Sequence, residues 1–148
     1  MKQQLSSEQK AYLAGFLDGD GSIYVQLKPN PTYRYGFQVA PYIVLYQSQK
    51  SSEVFGKLCE MIGLGYMRER RDGISEYIIG RTDEIRIFLI MVQPYVILKV
   101  KQVELMLQIL DAKESVKNKE EFARLAKLVD RFRELNYSKK RKNRIVTP

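Results

Sequence analysis

One stretch constrains this chain more than any other: Leu13-Ala14-Gly15-Phe16-Leu17-Asp18-Gly19-Asp20-Gly21. With Ala11 and Tyr12 before it, its front half reads as helix, and Ala11, Gly15 and Gly19 recur at four-residue spacing. Such a seam of small residues leaves a groove into which another helix can pack closely. The helix then ends on two carboxylates, Asp18 and Asp20, set beside Gly19 and Gly21. A helix C-terminus carries partial negative charge, so acids there are unfavourable unless a cation compensates them. A helix that packs tightly and delivers acids to its wrong end is suited to a metal ion.

The rest of the composition narrows the chemistry. A chain of 148 residues implies one domain with a real core. The net charge of +8, from 25 Lys and Arg against 17 Asp and Glu, favours a polyanionic partner. Ile87 to Val92, the longest apolar run, is far too short to span a bilayer, so no membrane partner is expected. The opening MKQQLSSEQK lacks the apolar core of a signal peptide and the arginines of an import signal. Cys59 is the sole cysteine, so no intrachain disulfide can form, and it reads as a small core hydrophobe. There is no histidine, which removes His-based triads, His general bases and His-rich zinc sites.

Along the chain, Ser6 and Gln9 form a capping-box pattern, and the first helix is expected to end near Leu17 or Asp18. Ser22 to Lys28 alternates as a strand, with Ile23, Val25 and Leu27 on the buried face. Arg34 to Gln47 alternates again, with Phe37, Val39, Ile43 and Leu45 inward, and Pro41 marks an edge or a bulge. Ser51 or Ser52 caps a second helix that stops at Gly63. Asp72-Gly73 turns a hairpin between Tyr66–Arg71 and Ile74–Arg81, with Tyr77 and Ile79 inward. A third helix opens at Thr82 and ends before Pro94; a fourth spans Tyr95 to about Leu110 and a fifth Lys119 to Leu135. The fold class is therefore α+β: an α-ββ-α-ββ-α core in residues 1–136 with two further helices, then a basic tail over 137–148.

LAGFLDGDG resembles the LAGLIDADG motif of homing endonucleases, and the element order is similar to that family's single-motif class over nearly the whole chain. The resemblance implies a four-stranded antiparallel sheet curved into a saddle that sits on double-stranded DNA. It implies a homodimer whose two motif helices pack along the two-fold axis, through Ala11, Leu13, Ala14, Gly15, Leu17 and Asp18. It also implies cleavage across the minor groove with short 3′ cohesive ends, and homing of a mobile intron. Such a gene sits in a chloroplast or mitochondrion, or in a prokaryote or archaeon whose cytoplasm holds the protein. Independently, cutting both strands of a duplex takes two hydrolyses, and one acid cluster per chain serves one strand, so two-fold symmetry and a pseudo-palindromic target follow.

By the same resemblance Asp20 is the metal-binding and catalytic carboxylate, with the Gly19 carbonyl a further ligand, and Asp18 is more structural than catalytic. Hard oxygen donors suit Mg²⁺; Mn²⁺ can substitute, and Ca²⁺ is expected to support binding without cleavage. Gln47 matches a glutamine that orders water and Lys99 a lysine that supports the nucleophile or the phosphate charge, with Lys101 a weaker candidate. Without the family, Lys99 is a surface lysine and Gln47 a polar strand end. One departure is Ser51, where relatives often carry a basic residue; Lys50 is its neighbour.

The outward face of the sheet is expected to read the major groove through Tyr24, Gln26, Lys28, Asn30, Gln38, Arg68 and Arg70. Tyr33, Ala40, Val44, Glu76 and Ile78 are expected to add shape or apolar contacts, and Lys139 and Lys140 in the tail to grip phosphate. Seven strand residues span about 23 Å, roughly seven base pairs. Two rival functions are a maturase that binds intron RNA on the same fold and a silent DNA-binding protein; neither needs Asp20 or Lys99.

Overall fold

A computed structural model describes residues 4–136; the tail, Lys139 and Lys140 included, lies outside the described residues. The order is α1 (Ser7–Asp20), β1 (Gly21–Pro29), β2 (Phe37–Ser48), a 3₁₀ turn (Gln49–Ser51), α2 (Ser52–Ile62), β3 (Tyr66–Glu69), β4 (Ile74–Ile79), α3 (Thr82–Val92), α4 (Val100–Ser115) and α5 (Lys119–Asn136). The strands form one antiparallel sheet in the order β1-β2-β4-β3. The expected α-ββ-α-ββ-α core is present, followed by its two further helices.

The alternation works as the side-chain period dictates. Ile23, Val25, Val39, Ile43, Leu45, Tyr77 and Ile79 point into one core with Leu13, Ala14 and Leu17 of α1, Phe55, Cys59 and Ile62 of α2, and Phe88 and Leu89 of α3. Each fully buried side chain of this size contributes about 1.5–3 kcal/mol. Phe37 departs from the pattern: it is 38% exposed and stacks at the rim on Phe122 of α5. Pro41 pairs with Val25 of β1, but β2 and β4 pair only over Ile43–Ser48 and Ile79–Ile74. At Pro41 the strand is thus an edge, where a missing N–H costs no bond to β4.

Caps and turns account for most boundaries. Ser6 and Gln9 complete a reciprocal capping box at the start of α1. Gly63 closes α2 in the left-handed conformation at φ 69°, its N–H donating to Cys59 O. Ser51, expected as a side-chain cap, makes no such bond; Ser48 caps the preceding turn instead, its Oγ accepting from Lys50 N. Residues 30–36 are a turn rather than strand, because the Asn30 Oδ1 accepts from both Thr32 N and Thr32 Oγ1. The start of α4 also differs from expectation: it begins at Val100, not Tyr95, and the cause lies in the site.

Candidate active site

The helix α1 runs two residues further than its composition suggested, to Asp20, and passes into β1 with no loop between. Gly21 makes this corner possible. Its backbone is extended, but a Cβ there would stand 2.8–2.9 Å from Leu17 Cδ1, Cα and O, closer than real contacts allow. Asp20 is therefore delivered at the last helical position, at the start of the edge strand. Its carboxylate is exposed and has no hydrogen-bond or ion-pair partner among the described residues.

Asp18 has a different fate. Its Oδ2 accepts from the N–H groups of Ile97 at 2.8 Å and Leu98 at 3.0 Å, and its Oδ1 accepts from Lys99 N–H at 3.1 Å. These are the amides just before α4, so an acid at the wrong end of one helix sits at the right end of another. Burial pushes the Asp18 carboxyl up, but the amides of Leu98, Ile97 and Lys99 and the Lys99 charge outweigh it and hold the pKa below the usual carboxylate value. The same pinning keeps residues 97–99 out of the helix, which explains the late start of α4. Lys99 Nζ in turn donates to Asp18 O at 3.0 Å. Lys101, two residues further along, is exposed and makes no such contact.

Beside this corner lies a recess of about 870 Å³ lined by Gly21, Ser22, Tyr24, Tyr46, Lys99, Gln102 and Arg133 among others. It gathers Lys99 with the start of β1. Gln47 does not line it: it pairs with Ser75 of β4, and its Oε1 accepts from Ser48 N–H. Ser51 lies in the 3₁₀ turn beyond, with Lys50 exposed next to it.

The donor set bears on a metal. No cluster of three or more His, Cys, Asp or Glu residues that could hold an ion exists among the described residues. One chain offers a free carboxylate, Asp20, and the carbonyls at the negative end of α1. That set fits a hard, oxygen-seeking divalent cation that keeps waters and takes substrate phosphate oxygens. It does not fit a closed all-protein cage.

The sheet face away from the core carries the expected recognition residues, in cross-strand rows. Lys28 pairs with Gln38, Gln26 with Ala40, and Tyr24 with Tyr42. Val44 lies between Ser22 and Ile78, and Glu76 between Tyr46 and Arg68. Gln26, Lys28, Tyr33, Arg68 and Arg70 are exposed, while Tyr24, Asn30 and Gln38 are half-buried. Asn30 spends one carbonyl oxygen on its own turn. Ala40, Val44, Ile78 and Glu76 are on this face yet buried, and none belongs to the core cluster. They are short side chains or lie on the central strands β2 and β4, and so form a floor in the free chain. Glu76 receives Arg68 Nη2 at 2.6 Å and lies 3.9 Å from Arg70 Nη1, so the acid fixes the arginine nearest it.

A model of the LAGLIDADG endonuclease family matches residues 13–112. This chain belongs to the LAGLIDADG endonuclease family. It is 37% identical over 143 residues to the DNA endonuclease I-CreI of Chlamydomonas reinhardtii, covering 96% of this chain and 87% of that protein. It is 31% identical over 131 residues to the DNA endonuclease I-CvuI of Chlorella vulgaris, covering 88% and 81%. A solved structure of I-CvuI in complex with the I-CreI target and 2 mM Mg, its DNA not cleaved, matches with a TM-score of 0.83 at 30% identity, covering 90% of this chain and 85% of that one.

In this LAGLIDADG endonuclease the motif helix has two distinct faces. Leu13, Ala14 and Leu17, expected at a subunit interface, are fully buried in the chain's own core. At about 100° per residue they fall on the side opposite Ala11, Gly15 and Gly19. That second stripe is exposed, and a Cβ at Gly15 or Gly19 would meet nothing within 4 Å. Beside it stand Tyr12, 60% exposed, and the Asp18-bound pair Ile97 and Leu98, 80% and 75% exposed. Sequence reasoning passed over Ile97 and Leu98, which gain meaning only once Asp18 is seen to hold them. Tyr46 and Arg133 at the recess were also missed; alternation put Tyr46 on the outward face but gave no sign of its neighbours.

Proposed function

We propose that this endonuclease acts as a homodimer on a long pseudo-palindromic DNA site, with Mg²⁺ as cofactor, and that it promotes homing of a mobile intron. The observation that carries the reading is the exposed Asp20 carboxylate, without a partner among the described residues, at the end of a helix whose glycine stripe is open. One chain offers one such acid, and a duplex needs two. Packing two copies of the Ala11-Gly15-Gly19 stripe, with Tyr12, Ile97 and Leu98 around it, covers apolar surface that water otherwise meets. It also sets two Asp20 residues beside one two-fold axis.

Asp20 and the Gly19 carbonyl are the groups that would hold the cation, which supplies activation of water and neutralisation of phosphate charge. Lys99, braced by Asp18, sets an ammonium near the same corner to meet charge on the phosphate. Gln47 is proposed to order water from the strand end. With no histidine in the chain, the proton leaves through water. The exposed Gln26, Lys28, Arg68 and Arg70 read base edges, Tyr24, Asn30, Tyr33 and Gln38 add to them, and the buried Ala40, Val44, Glu76 and Ile78 set the floor. I-CvuI is described with its own target in 2 mM Ca, which supports divalent-metal use here. No helix among the described residues is long and apolar enough to cross a membrane.

The deciding experiment is selection of cleaved molecules from a randomised duplex library with Mg²⁺. A two-fold symmetric consensus is expected. An uncut library, or a consensus without symmetry, would overturn the reading.

A further inference from the structure

Tyr42 lies on the outward face of β2, opposite Tyr24 of β1. In the structure both its ring and its hydroxyl are engaged. Its ring stacks on Tyr24 at 5.2 Å between centroids, across a directly paired position. On another side it rests on Gly80, just after β4, where a Cβ would stand 3.4 Å from Tyr42 Cε1. Lys28 lies two cross-strand rows away, yet its Nζ donates to Tyr42 Oη at 3.2 Å and sits 5.5 Å from the ring centroid. The row between them holds Ala40, whose methyl leaves the space over which the two side chains meet. Burial, with the neighbouring phenols of Tyr46 and Tyr42, holds the Tyr24 hydroxyl above its usual pKa, so it remains a neutral donor and acceptor.

We propose that Tyr42 is a specificity-determining positioning residue, which ties Lys28 and Tyr24 into one rigid reading unit; this rests on the DNA-cleaving reading above. A lysine is ordinarily a mobile point charge that attracts any phosphate. Held by Tyr42, the ammonium keeps two of its three protons for a partner. Two donors from one side suit the O6 and N7 acceptors of guanine in the major groove. The bond to Tyr42 Oη gives the ammonium a fixed direction. Tyr42 acts through Lys28, and the unit commits one position in each half-site to guanine.

The test is the cleaved-library profile of wild type, Tyr42→Phe, Lys28→Met and the double variant, with thermal unfolding measured alongside. Tyr42→Phe keeps the stacked ring and removes the acceptor. It is expected to leave the unfolding midpoint unchanged and to lower the guanine preference at one position per half-site by about three- to tenfold. Lys28→Met should change that same position, and the double variant should add no further change there, since the two residues act as one unit. A Tyr42→Phe profile equal to wild type, or altered at a position that Lys28→Met leaves alone, overturns the proposal. So does a uniform loss at all positions with a lowered midpoint, which marks a structural role only. If wild type itself cuts nothing, the DNA-cleaving reading fails first.

Discussion

Asp18 and Lys99 hold each other at both ends: the Asp18 carboxylate accepts the Lys99 N–H, and the Lys99 ammonium donates to the Asp18 carbonyl. The two are 81 positions apart in the chain. One residue thereby links the motif helix, the loop that starts α4 and a lysine proposed to act in catalysis. The arrangement also explains why the motif carries two acids. One is satisfied inside the chain, and the other is left open.

Replacing Asp18 by alanine leaves three amides without their acceptor, of which that of Lys99 is partly buried and those of Ile97 and Leu98 meet water. A loss of about 1–2 kcal/mol in unfolding free energy is expected, measured by urea denaturation. Cleavage should fall further than stability explains, because Lys99 loses its brace. A stable, fully active Asp18→Ala variant would remove Asp18 from the positioning of Lys99.

The pH dependence follows from the same contacts. The folded pKa of Asp18 lies below its unfolded value, because the amides favour the charged form. Its contribution to stability is therefore full above the unfolded carboxylate pKa near ~4 and is lost as pH falls through the depressed folded value. Wild type should lose stability more steeply than Asp18→Asn as pH is lowered below about 4. Parallel slopes for the two proteins would show that Asp18 titrates alike in both states.

Much of the fold is legible without coordinates, and the gaps have physical causes. Period-two alternation separates the faces of β1 and β2 because each strand buries one side. It does not tell which outward residues are covered by neighbours, and Val44 and Ile78, outward in the alternation, are buried in the free chain. The α1 helix is small or apolar on both sides, so periodicity alone cannot assign Leu13, Ala14 and Leu17 to core or interface. Burial assigns all three to the core. The start of α4 was hidden for another reason: local propensity favours helix from Tyr95, but Asp18 takes the amides of residues 97–99. Long-range hydrogen bonds of this kind have no local signature. Asp20 stood out from the motif and Lys99 only through the family resemblance, whereas Tyr42 required the register of β1 against β2.

The glycines of the motif should separate into two kinds when replaced. Gly15→Leu meets open space within one chain, so the isolated subunit should fold. Association should fail, and light scattering should report about 17 kDa where wild type gives about twice the 17.3 kDa of one chain. Gly21→Ala should act through folding instead, because its Cβ strikes Leu17, and a cost of about 1–3 kcal/mol is expected. A Gly15→Leu dimer would place the subunit contact elsewhere.

Binding should weaken steeply with salt, given the +8 chain and the exposed Lys28, Arg68 and Arg70 on the recognition face. With roughly six to ten phosphates neutralised in the complex, affinity should fall by about 10³–10⁵ between 50 and 200 mM salt. Fluorescence anisotropy on a labelled duplex gives the slope. A flat response would mean that the basic surface is not used on phosphate.

Asp20→Asn sets function against stability. The acid lies at the negative end of α1 and has no partner among the described residues, so in the free protein it is a small burden. Removing its charge should raise unfolding free energy by about 0.3–1 kcal/mol. The same change should leave DNA affinity close to wild type and lower the cleavage rate by about a thousandfold or more, through loss of the metal-binding carboxylate. Added Mg²⁺ should raise the melting temperature of the wild-type complex and leave that of the variant unmoved. A variant that cuts at the normal rate would take Asp20 out of the mechanism. One that is less stable than wild type would mean the carboxylate has a structural partner, and that its place at the end of the helix serves the fold of the chain and not its substrate.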